Sequence, residues 1–113
     1  MNNPEQAQKH DAGKPPVWRG VLRYFPRALL EVAKVSQMGH DKYGEWGGWR
    51  KVPEAGDRYE DAKARHLLYR AMGQLTDDES DLFHQAHEAW NALATLELML
   101  MEKENGETVS KLS

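Results

Sequence analysis

Residues 79–98, ESDLFHQAHEAWNALATLEL, decide the fold, because they carry a helical period with unexpected residues along one side. At about 100° per residue, Leu82, Ala86, Ala89, Trp90, Leu93, Leu96 and Leu100 fall on one broad apolar face. His84, His87, Asn91 and Thr95 form a second, narrower stripe at i, i+3, i+7 and i+11, with Glu88 beside it. Such a stripe is ordinarily the solvated side of a helix. Here Ala94 and Leu98 flank it, and its members are imidazoles and an amide rather than the lysines and glutamates of a water-facing surface. A helix apolar nearly all round is covered on both sides, and polar groups covered that way need partners.

Two more helices precede this one. Pro26 suits a first helical position, and ALLEVAKVSQM follows with Leu29, Val32, Ala33 and Ser36 on one face. Gly39 marks its expected end, with HDKYG as a possible further turn. YGEWGGWRKVPEAG reads as loop. Asp57 with Glu60 is a capping-box pattern opening the second helix, which runs to about Gly73. Thr76 with Glu79 repeats the pattern before the third, which is expected to end near Asn105-Gly106. With no alternating strand pattern, the fold class is all-α: residues 1–24 an extended arm, 25–105 a helical domain, 106–113 a flexible tail.

The second helix offers partners to the stripe. Tyr59, His66 and Arg70 share one side, Asp61 and Arg65 stand four apart, and Ala64, Leu67 and Ala71 form a seam for close packing. Antiparallel pairing across QLTDD brings His66 toward the N-terminal half of the third helix. His84, His87 and Asn91 are then expected to face His66, Asp61 and Arg65 in one polar pocket, joined by Glu79 and closed by Lys14 and Lys42. Phe83, Ala86, Trp90, Leu93, Leu96 and Leu100 are expected to be mostly buried, and Glu97, pointing to the same face, to be paired or at a subunit contact. Three helices apolar on more than one side cannot cover each other in so short a chain, so a homo-oligomer, most simply a dimer, is expected.

The composition narrows the class. The chain has 113 residues, 40% apolar and 29% charged, which suits one soluble domain. No apolar run approaches the ~20 residues of a membrane span, and the polar start MNNPEQAQKHDAGK is not expected to be a signal peptide. The absence of cysteine removes thiolate metal sites and fits a cytoplasmic location, in a host cytoplasm if the chain is phage-encoded. A net charge of −3 argues against non-specific nucleic-acid binding.

Four segments, KHDAGKPP, GHDKYGEWGGWRK, RYEDAKARHLLYR and DDESDLFHQAHEAWNALATLEL, resemble in order the phage and bacterial family known as dATP/dGTP diphosphohydrolase, N-terminal domain. The matching positions are Asp11, Gly13, Lys14 and Pro15; Gly39, Lys42, Tyr43, Gly44, Trp49 and Arg50; Tyr59, Asp61, Ala62, Arg65, His66 and Leu67; and Glu79, Ser80, His84, His87 and Asn91. Two positions depart: Gly48 stands where the family has Asn, and Asp81 where it has Gly.

The resemblance implies an all-α fold similar to MazG-like nucleotide pyrophosphohydrolases, cleaving a deoxynucleoside triphosphate to monophosphate and pyrophosphate with Mg²⁺ or another divalent ion such as Mn²⁺. The MazG hallmark, a Glu-x-x-Glu pair followed by Glu-x-x-Asp on helices, is absent. Such chemistry needs oxygen ligands for the ion, cations for phosphate and a means of activating water. Asp61, Glu79 and Asp81 are the candidate ligands; Lys14, Lys42, Tyr43, Trp49, Arg50, Arg65 and Asn91 the candidate substrate contacts; His66, Glu79, His84 and His87 the candidate catalytic groups. His66, His84 and His87 offer an alternative, a transition-metal site. The glycine loop Trp46 to Trp49 is either a purine-stacking surface or a plug over the core. GKPP lacks the glycine spacing of a phosphate-binding loop, and the pairs His10-Asp11 and His40-Asp41 lack the family context of a His-Asp phosphohydrolase. The rival class is a non-catalytic small phage protein that binds a host or viral partner protein.

Overall fold

The structure, a computed structural model, describes residues 13–110. The beginning of the arm, with His10 and Asp11, and the last three residues lie outside the described residues. Three α-helices carry the architecture: α1 (Pro26–Tyr43), α2 (Ala55–Ala71) and α3 (His84–Ser110). No strand occurs among the described residues, and no described helix is long and apolar enough to cross a membrane.

The helix ends show where local signals held and where they lost. Pro26 opens α1 at the first helical position. The helix passes Gly39 and stops at Gly44, whose φ of 75° is the left-handed conformation glycine adopts without steric cost; its N–H donates to the His40 carbonyl. The capping box at Asp57 does not form. α2 opens earlier, after Glu54 at φ 57°, and Asp57 sits in the first turn, where its charge favours the helix dipole. α3 opens later than Thr76. The Asp77 carboxylate takes the N–H groups of Glu79 (3.1 Å) and Ser80 (2.9 Å) into a turn of its own, and a bridge between Thr76 and Phe83 closes that loop. Gly106 lies inside α3, which continues to Ser110, so the expected end at Asn105-Gly106 is not observed. The arm is not wholly extended: Trp18–Leu22 make one π-helical turn, with Arg23 N–H donating to the Trp18 carbonyl.

α2 and α3 pack antiparallel, as Tyr59 against Trp90, His66 against His87 and Gln74 against His84 show. α1 joins through Ser36, whose hydroxyl accepts the indole N–H of Trp90 at 2.8 Å. Trp49, Tyr59 and Trp90 meet edge to face, with centroids 5.5–6.1 Å apart, and Tyr59 donates to the Trp49 carbonyl. Trp49 is thereby a plug over this junction.

The expected apolar burial is only partly realised. Ala86 is buried and Trp90 half-buried, but Phe83, Leu93, Leu96 and Leu100 remain 46–52% exposed. The buried side of α3 is the polar stripe: His84 at 0% exposure, His87 at 4%, Asn91 at 5% and Thr95 at 8%. The reason lies in size and hydrogen bonding. Ala94, buried beside the stripe, leaves room for close approach of a neighbour on that side, and every stripe residue has a bonded partner. Glu97 is exposed.

Candidate functional site

His66 of α2 is the centre of the site. Its ring lies 4.4 Å from that of His87 and nearly parallel to it, at 7°, and its Nδ1 is 2.8 Å from Nδ1 of His84. The tautomers follow from the far end of the chain of bonds. Oε1 of Gln74 only accepts, so Nε2–H of His84 donates to it over 2.8 Å. In that tautomer Nδ1 of His84 is the acceptor, and His66 donates Nδ1–H to it. His87 is anchored on its other side, sharing a proton between Nε2 and Ser80 Oγ over 2.7 Å. Asn91 donates to the His87 carbonyl at 2.7 Å.

Burial favours the neutral form of a histidine. It pushes His66 down to about 4, helped by the neighbouring imidazoles of His87 and His84 and opposed by the Asp77 carboxylate. His87 is lowered for the same first reason, partial burial, with Asp77 opposing. Asp77 approaches Nδ1 of His66 to 4.0 Å with Oδ1, while its Oδ2 holds the two loop N–H groups. Its carboxyl is burdened by burial, yet the Ser80 N–H and the His87 and His66 rings bring it below the usual range. Beside this cluster Arg70 grips Glu88 with two bonds of 2.8 Å, which lowers the Glu88 carboxyl.

A cavity of about 660 Å³ opens from the cluster between α1, α2 and α3. Of the residues proposed from sequence, Tyr43, Trp49, Asp61, Arg65, His66, His87 and Asn91 line it. The convergence of His66, His84 and His87 is observed. Other candidates stand elsewhere. His84 lies behind His66, fully buried. Arg50 is exposed and lies over the Trp49 ring at 5.4 Å. Lys14 and Lys42 are not in the cavity wall: Lys14 is exposed in the arm, and Lys42 pairs with Glu79 across 3.5 Å. That pair is solvent-exposed, so Glu79 does not join the histidines. Asp81 is exposed at φ 61°. Asp61, Glu79 and Asp81 therefore do not make one ligand set. The donors that do converge are His66, Asp77 and His84, whose nearest ligand atoms all lie within 4.8 Å of one another.

Sequence reasoning passed over Asp77, Gln74 and Arg58. Asp77 was hidden in the run Asp77, Asp78, Glu79, Asp81, where only its position as an Asx turn before Ser80 sets it apart. Gln74 had no signal, because its role depends on where the loop returns. Arg58 lines the cavity, one residue before Tyr59 in α2.

Residues 4–108 match the family model described as dATP/dGTP diphosphohydrolase, N-terminal. The chain is also 37% identical over 81 residues to the dATP/dGTP diphosphohydrolase of Salmonella phage PMBT28; those residues are 72% of this chain and 26% of the phage protein. The match thus spans about a quarter of that relative's length. No solved structure gives a significant match.

Proposed function

The chain belongs to the dATP/dGTP diphosphohydrolase, N-terminal family, and from that premise we propose that its cavity binds a deoxypurine nucleoside triphosphate and hydrolyses it to monophosphate and pyrophosphate. The observation that carries this reading is the cavity itself, whose volume is in the range of small-ligand sites and whose walls differ in chemistry. Tyr43 and Trp46 give aromatic surface for a purine; Arg58 and Arg65 give cationic groups for phosphate; His66, His87 and Asn91 line the same cavity.

In this reading the guanidinium groups of Arg58 and Arg65 hold the phosphate chain. Water attacks the α-phosphorus, and the bond from that phosphorus to its bridging oxygen breaks. One neutral imidazole, that of His66 or of His87, accepts the proton that water loses, and pyrophosphate departs. The cluster of metal donors that meets among the described residues, two imidazole nitrogens and one carboxylate oxygen, does not suit Mg²⁺, which takes oxygen ligands. The chemistry assigned to the chain is that of its own side chains.

Pyrophosphate release from a panel of deoxynucleoside triphosphates tests the reading. The purine nucleotides are expected to be turned over in preference to the pyrimidines, and Arg65→Ala to lower kcat/KM by about 100-fold through lost charge-assisted contacts. No release from any nucleotide overturns it. The non-catalytic binding reading is favoured by a different observation, the exposed row Leu93, Leu96 and Leu100 on α3. In the enzymatic reading that row is covered by a second copy of the chain, forming a dimer.

A further inference from the structure

We propose that His66 Nδ1, His84 Nδ1 and Asp77 Oδ1 form a binding site for a divalent transition ion, of the class of Mn²⁺, Co²⁺ or Zn²⁺, at the base of the cavity. Two nitrogens bound at ~2.1 Å and at right angles on one ion stand roughly 3 Å apart. The His66 and His84 nitrogens already stand 2.8 Å apart. Each of two ligands is also held by an atom that does not bind. Nε2–H of His84 is fixed by Gln74, which leaves the lone pair on Nδ1. Oδ2 of Asp77 is fixed by the Glu79 and Ser80 N–H groups, which leaves Oδ1 turned toward His66. Such outer bonds are how proteins orient metal ligands. His87 is not in the set, because its Nε2 is engaged by Ser80.

The site adjoins the cavity through one of its three ligands. His66 lines the cavity, while His84 behind it is sealed from solvent. An ion would therefore reach the site on the His66 side, since neither His84 nor Asp77 is in the cavity wall. Ion binding requires the proton on His66 Nδ1 to move to Nε2, since a metal-bound nitrogen carries none. The site rests on the cavity of the proposed hydrolysis but not on the reaction, because binding is measured with no nucleotide present.

The test is titration of the full chain with Co²⁺, followed by its visible absorption and by calorimetry. One Co²⁺ per chain is expected, displaced by Zn²⁺ and not by excess Mg²⁺. Asp77→Asn keeps an acceptor for the loop N–H groups and removes the charged ligand; it and His66→Gln are each expected to weaken Co²⁺ binding tenfold or more, by about the loss seen for altered metal shells, with the helical circular dichroism unchanged. If His66→Gln does not fold, Asp77→Asn alone decides. No Co²⁺ binding to the wild-type chain, undiminished binding to Asp77→Asn, or equal displacement by Mg²⁺ overturns the assignment. A bound ion without pyrophosphate release leaves the metal site standing and removes the hydrolytic reading.

Discussion

One side of α3 buries imidazole, amide and hydroxyl; the opposite side leaves three leucines half in water. A single amphipathic helix does the reverse. The difference shows what each side has for company. His84, His87, Asn91 and Thr95 find hydrogen-bonding partners within the described chain, so the desolvation of their polar atoms is offset. Leu93, Leu96 and Leu100 need only apolar area, and the described part of the chain supplies too little to cover them.

The strongest way to break this comparison is to make the buried side apolar. His84→Leu raises hydrophobicity at a fully buried position, but it strands Gln74 Oε1 and the His66 Nδ1–H. It is expected to destabilise by about 2–4 kcal/mol in urea unfolding, each stranded group costing about 1–3 kcal/mol. Unchanged stability would mean that the stripe's bonds contribute nothing net.

Acid attacks the same side without mutation. His66 is neutral in the folded chain down to about 4, against an ordinary value of 6.5. The unfolded chain therefore binds the proton first, so this contribution to stability is whole above about pH 6.5 and declines as pH falls toward 4. His87, also lowered, acts in the same direction. The groups around His66 are Asp77, which opposes the shift, and His84, His87 and Arg65, which support it. The melting temperature is expected to fall by several degrees across that window, and His66→Gln to flatten the slope.

The apolar side should answer differently. Leu96→Arg is expected to leave the fold of one copy within about 0.5 kcal/mol of wild type, as for an exposed position. It should convert the proposed dimer to monomer in light scattering. A wild-type chain that is monomeric at high concentration removes that expectation.

The smallest effect sharpens the account of the loop that turns Asp77 inward. Asp81 has φ 61°, a conformation that favours glycine, and it is the position at which the family resemblance implies Gly. Asp81→Gly is expected to stabilise by about 0.5–1 kcal/mol if the relief of strain exceeds the gain in unfolded-chain entropy. Calorimetric melting decides the sign. At the other departure, Gly48, the backbone makes no such demand, and an added Cβ would meet only the Glu45 side chain.

The all-α class, the antiparallel pair and the meeting of three histidines were legible in sequence, because a period of 3.6 residues and a short connection fix which residues can face each other. The covering of the polar stripe of α3 was legible too; what holds it, and the exposure left on the apolar face, was not. Periodicity separates two faces but does not say which finds partners, and here Gln74 and Ser80 come from a loop whose path no local rule gives. The same loop explains the misplacement of Glu79. The spacing of Thr76 and Glu79 suits a capping box, but Asp77 competes for the N–H groups that such a box needs, and Glu79 is turned out to Lys42.

The aromatic junction has an optical consequence. Trp18 and Trp46 are largely in water, whereas Trp49 and Trp90 are half-buried, and the Trp90 indole N–H is held by Ser36. The red-shifted part of the intrinsic emission therefore belongs to the first pair and the blue-shifted part to the second. Trp90 sits where all three helices touch the cavity, so its fluorescence reports on α1 leaving its seat and on any molecule entering the pocket, with no label attached.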